Sequence, residues 1–109
     1  ALRRSDNIHL FTNGKKVKPE IIFGWHHDRE KRKPHPFPVQ SILSQLNLSK
    51  EEALIVDDLK PGAKMGKASG VSVAGAGWGH QIPVIKEDMK NCCDYYFSSV
   101  GEFRHFLFT

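Results

Sequence analysis

The chain has 109 residues, a formal net charge of +4 at pH 7 and 39% hydrophobic residues. This length suits one small globular domain, and the ordinary composition excludes collagen-like, coiled-coil and disordered chains. Every apolar run is far shorter than the roughly 18 residues of a membrane helix, and no charged-then-apolar leader opens the sequence. The only cysteines, Cys92 and Cys93, are neighbours, so they predict no disulfide framework. These features predict a cytoplasmic protein with no membrane partner.

The basic excess raises the question of a polyanionic partner. The densest basic cluster spans residues 26–33, but Asp28 and Glu30 interrupt it. A charge run of this kind is typical of a solvated loop, and nucleic-acid binding would need basic side chains that share one surface. The sequence therefore disfavours nucleic acid as a partner, and only strongly salt-dependent binding would indicate it.

The first half of the chain predicts two strands and one helix. Apolar runs bounded by turn residues predict strands at Ile8–Phe11 and Ile21–Gly24. A loop rich in lysine, proline and histidine lies between Lys31 and Pro38, and its prolines disfavour a helix there. From Pro38 onward, apolar residues at helical spacing predict an amphipathic helix. These residues are Val39, Ile42, Leu43 and Leu46.

The second half alternates strands and helices, as in a parallel α/β sheet. Ala53–Val56 is an unbroken apolar run, which is typical of a strand covered on both faces. After a loop at residues 59–62, we expect a helix that ends at Gly70. The remaining predictions are a strand at Val71–Ala74, a flexible stretch at Gly75–Gly79, a helix at Ile82–Met89, a strand at Asp94–Phe97 and a last helix capped by Ser98 or Ser99.

The acidic pair Asp57-Asp58 follows the apolar strand directly. In open parallel sheets, ligands bind beyond the carboxyl ends of the strands, so two adjacent carboxylates there are placed to bind a hard cation. Mg2+ is favoured over Zn2+ because the ligands are oxygens and no cysteine and histidine cluster lies nearby in the sequence. The alternative is that one of the two carboxylates simply caps the following helix or loop.

Two other segments are candidate anion sites. Lys33, which precedes Pro34-His35-Pro36, offers a positioned charge to a phosphate or carboxylate, although a Lys-Pro pair is also common in ordinary loops. Thr12-Asn13-Gly14 follows a predicted strand and offers a hydroxyl and backbone N–H groups. It also fits an ordinary turn.

Together these motifs resemble the haloacid dehalogenase-like phosphohydrolase superfamily, specifically the C-terminal half of a phosphoglycolate-phosphatase-like member. Lys33-Pro34-His35-Pro36 is similar to the family's third motif and Leu54–Asp58 to its fourth. Thr12-Asn13 resembles part of the second motif, although the connection at residues 15–20 is shorter than usual. Further similar segments are residues 66–71, 77–79, 94–97 and 100–103.

The resemblance implies a fold and a set of roles. The fold would be a partial Rossmann-like three-layer sandwich with a mostly parallel sheet, and residues 1–109 would form the C-terminal part of one core domain, without the cap module. Lys33 would be catalytic, Thr12 and Asn13 would bind phosphate, and Asp57 and Asp58 would bind Mg2+. The implied partner is a small phosphorylated substrate.

The sequence also departs from the family pattern. The family's nucleophile lies in an Asp-x-Asp motif, and none of the 109 residues forms one; Gly62 stands where many members carry a further Asp or Asn. We therefore expect the chain alone to be inactive and to be a fragment, with the strand that carries the nucleophile lying between the strands at Ile8–Phe11 and Ala53–Val56. Its partner would be the missing N-terminal part. The alternative is a non-catalytic binding module that has lost the nucleophile.

The remaining histidines, the tryptophan and the cysteines favour structural interpretations. No zinc spacing joins the four candidate histidines, which we predict to be solvated or loop residues; they are His26, His27, His35 and His80. Trp78 is expected to anchor a loop, and the two cysteines to pack half-buried.

Overall fold

The computed structural model describes residues 10–12, 15–17, 20–21, 23 and 26–109. In this part of the chain, a three-stranded parallel sheet carries four α-helices, and two antiparallel strands form a separate sheet. The strands are β1 (Leu10–Thr12), β2 (Lys15–Val17), β3 (Leu54–Asp57), β4 (Ser72–Ala76) and β5 (Tyr95–Phe97), and the helices are α1 (Phe37–Leu46), α2 (Lys60–Ser69), α3 (Pro83–Cys92) and α4 (Val100–Phe108). The fold class is α/β and partial Rossmann-like, as predicted.

The parallel sheet has the order β3-β4-β5. Its register pairs Asp57 with Gly75 and Ala74 with Tyr95. Helix α2 connects β3 to β4 and α3 connects β4 to β5, because parallel neighbours need a crossover. Among the described strands, none pairs with the outer edge of β3, and β1 pairs with β2 instead.

The predicted strand at Ile21–Gly24 is wrong for the residues that the structure describes. Ile21 and Phe23 have no strand conformation. The Phe23 ring instead packs edge-on against the Phe37 ring, with 6.1 Å between the ring centres. Phe23 therefore packs against the start of α1, and periodicity alone does not distinguish such a residue from one in a strand. Of the predicted strand at Ile8–Phe11, Ile8 and His9 lie outside the described residues, whereas β2 was not predicted.

The core lies mainly on one face of the sheet, where α1, α2 and α3 pack. Two buried clusters, Val39 with Met65 and Val71, and Ala63 with Val73 and Met89, are joined by Ile55, which contacts both. On the other face, α4 packs its Phe103 and Phe106 rings against the Phe97 ring, with distances of 5.5 and 5.0 Å between the ring centres. Helices therefore lie on both faces of the sheet, because alternate residues of a strand point in opposite directions. The prediction that β3 is covered on both faces is wrong at Val56, which is 41% exposed, because α4 packs against β5.

Several element ends differ from the prediction for local reasons. Helix α2 begins at Lys60, before Gly62, because a proline suits the first helical turn. It ends as predicted at Gly70, whose φ of 74° favours glycine. The stretch Gly75–Gly79, predicted to be flexible, is instead the end of β4 followed by a 3-10 turn. None of the helices in the described part is long and apolar enough to cross a membrane.

Ser99 is the predicted cap of α4, and its removal provides a test of this helix. Its Oγ accepts a hydrogen bond of 3.1 Å from the Glu102 N–H. We expect Ser99→Ala to lower the free energy of unfolding by about 1 kcal/mol. Urea denaturation measures the change, and Ser98→Ala, at the exposed neighbouring position, should change it by less than about 0.5 kcal/mol. Equal losses in both variants would contradict the assignment of the cap.

Candidate active site

The acidic pair lies at the C-terminal edge of the parallel sheet. Asp57 is the last residue of β3, Asp58 follows it, and Asp57 lies beside Gly75 of β4. The loops after parallel strands meet at this edge, where open α/β sheets bind their ligands. Both carboxylates therefore lie at the place where their position after an apolar strand predicts a ligand site.

Lys33 forms an ion pair with the first of these carboxylates. Its Nζ lies 2.5 Å from Asp57 Oδ2, although 24 residues separate the two along the chain. The side chains are 25% and 8% exposed, so this charge-assisted hydrogen bond is largely shielded from water. The loop before α1 thus brings Lys33, the candidate catalytic residue, to the candidate metal-binding pair.

Asp57 has further partners at the start of α2. Its Oδ1 accepts hydrogen bonds from the backbone N–H groups of Asp58 at 2.7 Å and Leu59 at 3.1 Å. The approach is so close that a Cβ at Gly62 would overlap the Asp57 carboxylate. A carboxylate offers about four lone-pair sites, and the three donors at Asp57 leave one of them.

The pairing shifts the pKa of both partners. Burial by itself would lower the pKa of Lys33, but the hydrogen bond to Asp57 and the charges of Asp57 and Asp58 raise it above its ordinary value. Burial would likewise raise the pKa of Asp57, but Lys33 and the two backbone N–H groups lower it below its ordinary value. Lys33 and Asp57 are therefore both charged at neutral pH.

These shifts predict how stability depends on pH. Because the folded-state pKa of Asp57 lies below 3.8, its stabilising contribution is present above that value and is lost as the pH falls through the lowered pKa. Because the pKa of Lys33 lies above 10.5, its contribution is present below that value and is lost as the pH rises through the raised pKa. The urea concentration at the midpoint of unfolding should therefore fall as the pH drops below 3.8 and also as it rises above 10.5.

Asp57→Asn provides the test of this pH dependence. In this variant the urea midpoint should fall much less at acid pH than it does in the parent protein. In Glu52→Gln, which removes a carboxylate exposed to water, the midpoint should still fall nearly as much as in the parent. An acid decline in Asp57→Asn as steep as in the parent protein would show that the ion pair does not cause it.

Asp58 faces a different neighbour. His80 Nε2 lies 3.1 Å from Asp58 Oδ2. The two atoms form an ion pair when the imidazole is protonated, although the buried Nε2 makes no hydrogen bond among the described residues. Gly79 allows the approach, since a Cβ there would lie 2.6 Å from Asp58 Cβ and 2.7 Å from its Oδ2. The Asp58 side chain is 37% exposed and so remains accessible.

The donor set fits Mg2+. In the described part of the chain, no three histidine, cysteine, aspartate or glutamate side chains form a group that could hold a metal ion. Mg2+ does not need such a group, because it keeps several waters and binds through one or two carboxylates and substrate phosphate oxygens. The accessible carboxylate of Asp58 and the remaining lone-pair site of Asp57 suit this pattern.

The two phosphate-binding candidates are not tested by this geometry. Thr12 is the last residue of β1, but the placement of its side chain lies outside the described part, as does Asn13. Their assignment therefore stays a prediction.

The cysteines and the tryptophan that the sequence analysis interpreted as structural residues occupy structural positions, whereas His80 contacts the candidate site. Cys92 and Cys93 are half-buried as predicted, and burial raises the pKa of the Cys93 thiol to about 12. Trp78 is half-buried and lies 5.9 Å from the Phe103 ring, as expected of a loop anchor. His80 is a loop residue as predicted, but its buried Nε2 makes it part of the site. Its position four residues after β4 was the only sequence signal for this role.

Comparison with known families gives a match over a span that includes the candidate site. The family model described as haloacid dehalogenase-like hydrolase matches residues 9–76, which is more than half of the chain. The matched span includes Lys33, Asp57 and Asp58, and ends just before the Gly77–Gly79 turn. No solved structure matches the chain.

Proposed function

Because the chain belongs to the haloacid dehalogenase-like hydrolase family, we propose that Lys33, Asp57 and Asp58 serve a Mg2+-dependent phosphatase that acts through an aspartyl-phosphate. The observation that carries the proposal is the ion pair of Lys33 with Asp57, adjacent to Asp58 at the C-terminal edge of the sheet. The nucleophilic aspartate would be supplied from outside these residues, since they contain no Asp-x-Asp.

In this proposal each side chain has a distinct task. Lys33 neutralises negative charge that develops on the transferring phosphoryl group, and Asp57 orients Lys33 and keeps it protonated. Asp58 and Asp57 would hold Mg2+, which when bound polarises phosphoryl oxygens as a Lewis acid. Thr12 and Asn13 would bind the phosphoryl oxygens through a hydroxyl and a backbone N–H.

The proposal extends to the substrate and the cellular setting. The substrate would be a small phosphorylated compound, as in the phosphoglycolate-phosphatase-like members that the motifs resemble. The missing N-terminal part of the same protein would complete the site, and the protein would act in the cytoplasm.

A non-catalytic module is the second candidate function. It is favoured by the lack of an Asp-x-Asp motif and by Gly62, which stands where many members carry Asp or Asn. Gly62 also has a local cause, because any side chain there would overlap the Asp57 carboxylate. The glycine at position 62 is therefore weaker evidence for a non-catalytic module than the sequence alone suggests.

The assay that separates the two uses the complete product of the encoding gene. If the phosphatase proposal holds, this protein hydrolyses p-nitrophenyl phosphate with Mg2+ and stops when the metal is chelated. Hydrolysis that continues at the same rate with a chelator would contradict the Mg2+ dependence. If the protein shows no hydrolysis of phosphate esters while Mg2+ binds, the binding-module alternative holds instead.

A further inference from the structure

A cavity lies at the amino-terminal edge of the parallel sheet, the edge opposite the acidic pair. It lies where α2 and α3 end and where β4 begins, and its volume is about 230 Å³. A cavity of about 150 Å³ already holds a molecule the size of benzene, so this one accommodates a small organic ligand. Its described lining includes none of Lys33, Asp57, Asp58 and His80.

The cavity has an apolar floor and a charged rim. Three buried residues, Ala63, Val71 and Val73, form the floor. Two exposed residues of opposite charge, Lys67 and Asp94, form the rim. An apolar surface with a few polar groups around it is typical of a small-molecule site.

The two charges at the rim are separate. Lys67 and Asp94 form no ion pair with each other or with any other described residue. Asp94 is instead held by the backbone, since its Oδ2 accepts a hydrogen bond of 2.8 Å from the Val73 N–H and its own N–H donates to the Val73 carbonyl at 3.0 Å. A carboxylate offers about four lone-pair sites, so Asp94 keeps acceptors for a ligand. A ligand that matches both charges carries a cationic and an anionic group.

Neighbouring groups give the two ends of the cavity different preferences. Helix α3 ends at Cys92, just before Asp94, and the partial negative charge of a helix C-terminus favours a cation there. At the other end, a Cβ added to the lining residue Gly70 would lie 3.5 Å from Lys50 Nζ. The full charges of Lys50 and Lys67 exceed the partial negative charge at the end of α2, so this end favours an anion.

We propose that this cavity binds a free α-amino acid with a small apolar side chain. Its ammonium group pairs with Asp94, its carboxylate pairs with Lys67, and its side chain lies on the apolar floor. The site is independent of the proposed phosphatase, because Asp57 and Asp58 lie at the other edge of the sheet.

The test measures binding of three related probes to the complete product of the encoding gene by titration calorimetry. L-valine carries both charges, N-acetyl-L-valine lacks the ammonium group, and L-valinamide lacks the carboxylate. We expect L-valine to bind at least about fivefold more tightly than either analogue, because each analogue loses one charged partner.

Two variants assign each charge to its partner. Asp94→Asn keeps an acceptor for the Val73 N–H but removes the charge, so it should weaken L-valine binding by about fivefold and leave N-acetyl-L-valine binding unchanged. Lys67→Gln should weaken L-valine binding by a similar factor and leave L-valinamide binding unchanged. The control is Lys64→Gln, an exposed position on α2 that is not among the described lining residues, and it should change none of the three affinities.

Two results would overturn the proposal. One is a parent protein that binds no L-valine, or binds it no more tightly than the two analogues. The other is L-valine affinity in Asp94→Asn and Lys67→Gln that equals the affinity of the parent protein. Circular dichroism confirms that each variant is folded. Because the readout is amino-acid affinity, a protein that binds L-valine in this way but hydrolyses no phosphate ester would uphold this inference while contradicting the phosphatase.

Discussion

Lys33→Ala should lower Mg2+-dependent phosphatase turnover by about 10²–10³-fold in the complete product of the encoding gene. Lys33 is the cation that lies 2.5 Å from Asp57 at the edge of the sheet, and its removal takes away the charge that would stabilise the transferring phosphoryl group. Asp58→Asn should lower turnover by orders of magnitude as well, because it removes the accessible carboxylate of the proposed metal site.

The control for this prediction comes from the same loop. Lys31 is exposed and lies 6.0 Å from the centre of the Phe37 ring, and among the described residues it forms no ion pair with Asp57 or Asp58. Lys31→Ala should therefore leave turnover near that of the parent protein. Since Lys33→Ala leaves Asp57 without its partner, urea denaturation must confirm that the variant is folded under the assay conditions. Near-normal turnover in Lys33→Ala or in Asp58→Asn would refute the roles assigned to them.

Gly62→Ala should lower the free energy of unfolding by about 1–3 kcal/mol. In an exposed helix the same substitution normally stabilises, because alanine has the higher helix propensity. At position 62 the added Cβ would overlap the Asp57 carboxylate, so either α2 or Asp57 must move. Movement of Asp57 would also weaken its hydrogen bonds to Lys33 and to the Leu59 N–H.

Gly101→Ala is the matched control. Gly101 lies in α4, where the nearest atom to an added Cβ is Ser99 Oγ at 3.8 Å, an ordinary contact distance. Its free energy of unfolding should stay the same or rise by up to about 1 kcal/mol. Urea denaturation of both variants gives the comparison. If Gly62→Ala were as stable as Gly101→Ala, Asp57 would not sit against α2 as described.

The parts of the fold that the sequence predicted are those with a strong local signal. The apolar run at Ala53–Val56 marked β3, and Gly70 marked the end of α2, because a left-handed conformation favours glycine. The run at residues 21–24 was also largely apolar, but its described residues Ile21 and Phe23 form no strand, and Phe23 packs on α1 instead. β2 carries two lysines and little strand signal of its own, so its pairing with β1 was not foreseen.

The candidate site was predictable as separate pieces but not as an arrangement. Asp57 and Asp58 were recognised by their place after an apolar strand, and Lys33 by its flanking prolines. Their contact depends on the packing of a loop 24 residues away, which no local pattern encodes. The close approach of Gly62 to Asp57 depends in the same way on how α2 meets β3.

The most direct test of the phosphatase proposal is to trap the covalent intermediate. The complete product of the encoding gene is mixed with p-nitrophenyl phosphate and Mg2+, quenched in acid within one turnover, and its intact mass is measured. The proposal predicts a species that carries one phosphoryl group, is lost on treatment with hydroxylamine, and is absent without Mg2+. Turnover of the substrate with no phosphorylated protein at any time point would contradict an aspartyl-phosphate mechanism.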